Sequence, residues 1–366
     1  MWTADLPTDN FVQRHRSLLA MEYEGTIGCP FRVVKVFRIM HGGFHEYEER
    51  ANSTAHLAKT GGAGMTGIER VAMIGTGTMG RMIALRAAQH GVPVTLYDSN
   101  PAALDHAREA NGELLHQWVT DGTMTAADAE KTEGLLRYAT DLHSTVHDVD
   151  LVIEAIPERV DLKRALFTQL DELCRDDAIL ATNSSSIRVS YLEDATARPE
   201  RVANFHFYNP VWEIPMVEVG AGTRTSAATM DTLAAFGSRI GLLSLRVQKE
   251  STGFIFNRVW RAIKKETLRV VDSGVASFED VDRAWMTMYH TDRGPFGKMD
   301  EIGLDVVRDI EEHYASESGD PADRPPQILT DRVARGDLGM KTGRGFYTYP
   351  NPTWAAPDFL KPEMES

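Results

Sequence analysis

Cysteine is nearly absent from this chain. In 366 residues only Cys29 and Cys174 occur, with no C-x-x-C pair and no His/Cys cluster. This excludes a disulfide-stapled scaffold, leaves no basis for a metal site, and suits a reducing, cytoplasmic compartment. Positive charge is also scarce. With 39 Lys and Arg against 53 Asp and Glu, the formal charge is -14, so the basic face that a nucleic-acid partner requires is not expected. That balance leaves acidic small molecules open, because a local basic patch can bind one on an acidic protein. No apolar run approaches the roughly 20 residues that span a bilayer, so no membrane insertion is expected. Repeats and low-complexity tracts are missing too. What is present, 42% hydrophobic and 25% charged residues, suffices for a substantial core divided between two domains with a further segment.

The most informative stretch runs from Arg70 to Gly80, Arg-Val-Ala-Met-Ile-Gly-Thr-Gly-Thr-Met-Gly. Val71 to Ile74 form a short apolar run, read as a buried strand, and Gly75, Gly77 and Gly80 then stand at G-x-G-x-x-G spacing. The first glycine suits a tight turn, the second lets backbone approach a pyrophosphate, and the third lets a helix pack closely on the strand. Thr78 and Met79 would open that helix, whose free N–H groups and positive dipole end face the phosphates. By itself the triplet also suits an ordinary strand-turn-helix. Asp98 changes the balance: it ends a second apolar strand, Val92 to Tyr97, eighteen residues beyond Gly80. A carboxylate there accepts hydrogen bonds from both ribose hydroxyls and repels a 2'-phosphate, which favours NAD over NADP. The plainer alternative is that Asp98 begins a turn with Asn100 and Pro101, or caps the next helix.

Taken in order, residues 1–66 form an extension of unknown role. They lack a secretory apolar segment, and Asp5, Asp9, Glu22 and Glu24 argue against an acid-poor transit peptide. A hairpin across His41-Gly42-Gly43 and a glycine-rich linker over 59–64 are expected there, with the catalytic part beginning near Met65. Residues 101–130 read as helical, and strand-like runs recur at 135–139, 151–156, 178–182, 201–207, 214–219 and 242–247, with helical segments at 161–173 and 227–240. This alternation predicts an α/β fold, a Rossmann-type doubly wound, largely parallel sheet over 67–249 with ligands at the carboxyl ends of its strands. From 250 to 350 the pattern becomes mainly helical, interrupted by a strand-like Gly345 to Tyr349. The apolar faces there suit a subunit interface, and 351–366 form a loosely held tail.

A second chemical segment spans Asn204 to Val219. His206 leaves a strand, a prolyl turn follows, and Glu218 comes twelve residues later on the returning strand. Such a hairpin places a carboxylate beside an imidazole and fixes its tautomer, and an oriented histidine can take a proton from an alcohol. A lone histidine in an apolar stretch is otherwise more often a satisfied core residue.

Here the chain resembles the L-3-hydroxyacyl-CoA dehydrogenases, in the short form that includes bacterial 3-hydroxybutyryl-CoA dehydrogenases, from about Gly67 to Tyr349. The motifs agree in order and spacing: the glycine loop, Glu154-Ala-Ile-Pro-Glu158, Asn183-Ser-Ser-Ser-Ile187, the histidine segment, Gly253-Phe-Ile-Phe-Asn257-Arg258, Gly294 to Asp305, and Lys341-Thr-Gly-Arg-Gly-Phe-Tyr347. The resemblance implies that His206 is the catalytic base and Glu218 its orienting partner, with Ser185 and Asn257 holding the reacting oxygen. It further implies that Glu158 lies near the nicotinamide ribose, and that Lys163 and Lys341 approach cofactor or CoA phosphate. For Ser185 the plain reading is a helix N-cap, for Asn257 a helix-surface amide, and for Lys163 a solvated helix position. A homodimer through the helical region is the expected assembly.

Two departures bear on substrate. Members acting on CoA thioesters carry lysines on the helices after the second strand, where this chain has Glu113-Leu-Leu-His-Gln-Trp-Val-Thr-Asp121, and the family's Pro-Val-Met-Lys-Leu-Val-Glu-Val becomes Trp212-Glu-Ile-Pro-Met-Val-Glu-Val219. The second change resembles relatives that oxidise free hydroxy acids, such as L-gulonate and carnitine dehydrogenases. A short 3-hydroxyacyl-CoA is therefore the expected substrate, with a free hydroxy acid as the alternative. A non-catalytic NAD-binding protein is the reading from another class, and the joint presence of His206, Glu218, Ser185 and Asn257 argues against it.

Overall fold

The computed structural model describes residues 67–361. The hairpin, the linker and the start near Met65 expected in the extension lie outside the described residues. Eight strands form one sheet, in the order β3-β2-β1-β4-β5-β6-β7-β8: β1 (Val71–Ile74), β2 (Val94–Tyr97), β3 (Leu136–Ala139), β4 (Leu151–Glu154), β5 (Ile179–Thr182), β6 (Val202–Phe207), β7 (Met216–Ala221) and β8 (Leu243–Val247). The first six run parallel, which fits their connecting helices and the unbroken burial of β1, β4, β5 and β6. β7 reverses against β6, and β8 then runs parallel to β7. The reversal at β7 is the hairpin expected over 204–219, and it has a simple reason. Only residues 208–215 separate it from β6, too few for a parallel crossover.

Helices cover both faces. On one lie α1 (Thr78–Gln89), α2 (Pro101–Thr120), α3 (Ala126–Gly134) and α6 (Ala227–Arg239), packed on Met73, Leu96, Ile153, Phe205 and Val217. On the other, α4 (Leu142–Val146) and α5 (Val160–Leu173) close over Ala72, Ile74, Val152 and Leu180. The alternation of burial partners along each strand is the two-residue period of a sheet buried on both sides. The helical stretch expected over 101–130 is interrupted between α2 and α3, where Asp121 turns the chain through the Thr123 amide and Thr125 caps α3 at Asp128.

After β8 the chain is helical: α7 (Phe256–Asp272), α8 (Phe278–Tyr289), α9 (Pro295–Ile302), α10 (Leu304–Ser318) and α11 (Gln327–Ala334) surround Leu268, Phe296, Met299, Val307, Leu329 and Phe346. The strand-like Gly345 to Tyr349 forms only isolated bridges, because the Phe346 and Tyr347 amides are bound by the buried Asp300 carboxylate, each at 2.8 Å, rather than by a neighbouring strand. The tail is not loose over its described part: Phe359 is buried beneath the Arg283 guanidinium, and Trp354 lies under that of Arg293. Among the described residues no helix is long and apolar enough to cross a membrane.

Candidate active site

The glycine loop lies between β1 and α1, at the carboxyl end of the sheet. Gly75 has φ +89°, and a Cβ on it would stand 2.9 Å from the Ala155 carbonyl, so both conformation and space require glycine. A Cβ on Gly80 would fall 1.9 Å from the Gly75 carbonyl, which explains how α1 approaches β1 so closely. Gly77 differs from both. It is the N-cap of α1, and among the described residues nothing stands within 4 Å of where its Cβ would be and no side chain caps that helix. Unclaimed N–H groups beside an open glycine, at the positive end of a helix, fit the pyrophosphate of a dinucleotide. Thr78 and Met79 form the first turn, as expected.

Asp98 ends β2 and holds this loop. Its Oδ2 accepts from the Thr76 amide at 3.0 Å and from the Thr76 hydroxyl at 3.1 Å, while Oδ1 accepts from the Asn100 amide at 3.0 Å. The turn reading of Asp98 is therefore present beside the loop contact. The cap of α2 is Asn100, whose side chain takes the Ala102 amide.

At the end of β4, Glu154 is fully buried and paired with the equally buried Lys163 of α5, whose Nζ stands 2.7 Å from both carboxylate oxygens and 3.3 Å from the Ile156 carbonyl. The Thr182 hydroxyl and the Ile156 amide also donate to Glu154. Lys163 is thus neither solvated nor open to a phosphate, since three acceptors take its three protons. Its charge reaches the cleft through Glu158, 3.4 Å away. Glu158 in turn accepts from the hydroxyls of Ser184 and Ser186 and from the Ser186 amide. Burial pushes the Glu158 carboxyl up, but the Ser184 hydrogen bond and the Lys163 charge outweigh it and hold it below the usual carboxylate range.

His206 and Glu218 face each other directly across the β6–β7 pair. Both are buried, and His206 Nδ1 lies 3.0 Å from Glu218 Oε2. Because the carboxylate can only accept, Nδ1 carries the proton and Nε2 is left with its lone pair. The same Oε2 accepts from the Tyr208 hydroxyl at 2.7 Å, and Oε1 accepts from the Ile255 and Phe256 amides at 2.8 and 2.9 Å. Glu218 therefore serves the start of α7, which has no side-chain cap of its own. Burial raises its carboxyl, yet hydrogen bonds from His206, Phe256, Tyr208 and Ile255 together place it below the ordinary range. Phe254, with backbone φ +49°, places its ring 5.3 Å from that of His206 at a 35° tilt and covers the pair.

Two further bonds lace the serine loop to the histidine strand: Asn204 Nδ2 donates to the Ser184 carbonyl at 2.8 Å, and Asn183 Oδ1 accepts from the Phe207 amide at 2.9 Å. Between its bound neighbours, Ser185 is exposed and makes no hydrogen bond among the described residues. It is not an N-cap, because the next helical turn begins after Arg188. Asn257 sits half-buried in the first turn of α7, directly after the amides bound by Glu218. Lys341 is set apart from these groups: both Asp305 oxygens hold its Nζ at 2.6 Å in the helical region. Tyr208, Asn183 and Asn204 escaped the sequence reading. Tyr208 stands two residues from His206, but nothing in a sequence shows that its hydroxyl shares an oxygen with the imidazole.

The matches to known proteins span this whole assembly. The NAD-binding domain model of 3-hydroxyacyl-CoA dehydrogenase matches residues 70–251, and the C-terminal domain model matches 253–349. A 3-hydroxybutyryl-CoA dehydrogenase of Mycobacterium tuberculosis is 36% identical over 284 residues, 77% of this chain and 99% of that protein. The crystal structure of (S)-3-hydroxybutyryl-CoA dehydrogenase from Ralstonia eutropha has a TM-score of 0.73 at 33% identity, covering 78% of this chain and 100% of that one. A 5-formyl-3-hydroxy-2-methylpyridine 4-carboxylate 5-dehydrogenase of Mesorhizobium japonicum is 33% identical over 285 residues, 77% of this chain and 91% of that protein. With an NAD-binding half and a helical half both matched in order, the chain belongs to the 3-hydroxyacyl-CoA dehydrogenase family.

Proposed function

We infer that this chain oxidises the 3-hydroxyl of a short L-3-hydroxyacyl-CoA to the 3-keto thioester with NAD, and catalyses the reverse reduction. The observation that carries this reading is the buried His206–Glu218 pair, with Nδ1 turned inward at 3.0 Å, on the sheet that bears the glycine loop. Gly75, Gly77, Thr78, Met79, Gly80 and Asp98 hold the cofactor, and Glu158 meets its nicotinamide ribose. When bound, NAD takes the hydride from the carbinol carbon. His206 Nε2 removes the hydroxyl proton and returns it in the reverse direction, with Glu218 stabilising the imidazolium. Ser185 and Asn257 direct hydrogen bonds at the oxygen that changes between hydroxyl and carbonyl, fixing its position and its developing charge.

A second reading, a free hydroxy acid in place of the thioester, draws on Trp212. Its ring meets Trp118 of α2 edge-on at 5.3 Å, which ties the altered 212–215 segment to the helix that lacks lysines. The deciding experiment is NADH oxidation with acetoacetyl-CoA beside free acetoacetate and dehydrogulonate-like keto acids at matched concentrations. Turnover confined to the thioester supports the acyl-CoA reading, and turnover confined to a free acid overturns it. Assembly as a homodimer is part of the same proposal, supported by Ile255 just before α7, Val259 on α7, and Val306 and Ile310 on α10, which leave apolar side chains exposed. A cytoplasmic location accords with the reducing environment that so few cysteines suit.

A further inference from the structure

Glu218 Oε2 accepts two hydrogen bonds, one from His206 Nδ1 at 3.0 Å and one from the Tyr208 hydroxyl at 2.7 Å. Both donors compete for the same oxygen. A hydroxyl that draws charge from Oε2 weakens the attraction between Glu218 and the imidazolium, and so favours the neutral ring. We propose that Tyr208 is a positioning residue that sets the basicity of His206 through Glu218, and thereby the pH at which the enzyme changes from reduction to oxidation. The inference rests on His206 being the proton-transfer group.

The surroundings make Tyr208 suited to this task. Its ring lies 4.6 Å from that of His206 and meets Phe256 edge-on at 5.6 Å, so the hydroxyl cannot easily leave. Burial, then the hydrogen bond and charge of Glu218, push the Tyr208 phenol upward, so it remains a donor throughout the working range of a dehydrogenase. The other groups bearing on it are the Asn257 backbone amide from α7 and the Tyr314 phenol from α10. Neither is a cation that would mask the exchange. Glu218 stays ionised without Tyr208, because the Ile255 and Phe256 amides hold Oε1 independently. Removing the hydroxyl therefore leaves the full charge of Oε2 to Nδ1.

The sign follows. In the oxidation direction His206 must be neutral to accept the alcohol proton, which passes to Nε2 while the hydride leaves to NAD. In reduction the imidazolium returns a proton to the carbonyl oxygen. With Tyr208→Phe the imidazolium is better stabilised; the lost bond is to a charged carboxylate, and the part of it felt at His206 corresponds to a displacement of about 0.4 to 1 pH unit. The acid limb of kcat/KM for oxidation and the alkaline limb for reduction should both move up by that amount. Below its limb the variant then oxidises roughly three- to tenfold more slowly than the wild type, and above its limb it reduces faster. Introducing 3-fluorotyrosine at position 208 strengthens the donor and should move both limbs down; it also keeps the test available if Tyr208→Phe folds poorly. Superimposable profiles for these variants, or a uniform loss of rate with no displacement, overturn the inference while His206→Ala remains inactive. Turnover that survives in His206→Ala removes the underlying assignment instead, and the two failures are thereby separated.

Discussion

The carboxyl end of the sheet and the Asp282–Asp300 cluster of the helical region both bury carboxylates, but they neutralise them differently. At the carboxyl ends of the strands each buried acid faces a nitrogen base: Glu154 has Lys163, and Glu218 has His206. In the helical region Glu311 has Lys264 and Arg261, but Asp282 and Asp300 are fully buried with neutral donors only. Asp282 takes the Phe296 and Gly297 amides and the Tyr347 hydroxyl, and Asp300 takes the Phe346 and Tyr347 amides and the Tyr349 hydroxyl. The consequence is opposite in the two places. Glu218 is held below the usual range, whereas both aspartates are pushed above it, Asp282 to about 6. Burial raises all three carboxyls, and what separates them is whether the donor set outweighs it. A fixed cation or an imidazole N–H as partner lets a buried acid stay charged. Neutral donors alone leave burial ahead, and the acid keeps its proton to a higher pH than an ordinary carboxyl does.

Breaking the charged side of this contrast should have the largest effects. His206→Ala removes proton transfer, and kcat should fall roughly a hundredfold to ten-thousandfold while NADH affinity, followed by fluorescence titration, stays near that of the wild type. Retained turnover would show that the histidine is only a core residue. Lys163→Met leaves Glu154 charged without a partner, and loss of one member of a buried pair costs about 3–5 kcal/mol. Urea unfolding should show that loss, and adding Glu154→Gln should recover part of it. A midpoint equal to that of the wild type would mean the Glu154–Lys163 pair does not hold α5 to the carboxyl end of β4.

The uncharged side makes a smaller, pH-dependent prediction. Burial, opposed by the amides of Phe296 and Gly297 and by Tyr347 but reinforced by the nearby Asp300 charge, raises Asp282 from 3.8 to about 6. The folded state therefore binds a proton that the unfolded chain has released between those values. Stability is greatest below the unfolded pKa and declines as pH rises through about 6, by up to about 3 kcal/mol from this group. Asp282→Asn should flatten the urea-midpoint profile between pH 4 and 6. An unchanged slope would place the proton elsewhere.

The contrast also explains what a sequence can and cannot disclose. The glycine loop, Asp98 and the His206–Glu218 hairpin were legible because each depends on spacing along one or two adjacent strands, where backbone geometry dictates which side chains meet. Lys163 shows the complementary limit. A lysine on a helix gives no local sign that a carboxylate nine residues earlier has been buried beside it. The reversal of β7 belongs to the His206–Glu218 hairpin and is legible in the short 208–215 connection. Tyr208 was hidden because shared hydrogen bonds are a property of three dimensions. Lys341 carried a family motif, yet its Nζ is bound by Asp305, a pairing between residues thirty-six apart.

Asp98 gives the smallest effect and the sharpest discrimination, because it has two partners that a substitution removes together. Its Oδ2 anchors the Thr76 end of the glycine loop, and its Oδ1 anchors Asn100 at the entry to α2. Asp98→Ala should weaken NAD binding through the loop, by about tenfold for one or two hydrogen bonds. Loss of the negative charge should at the same time relax discrimination against the 2'-phosphate of NADP, whereas loop loosening alone would weaken both cofactors alike. Asp98→Asn separates these contributions: the amide oxygen can still take the Thr76 N–H, but the charge is gone. A KM ratio for NADP over NAD that falls equally in both variants assigns selectivity to charge. A ratio unchanged in both would leave Asp98 as a turn residue that supports the loop without reading the ribose.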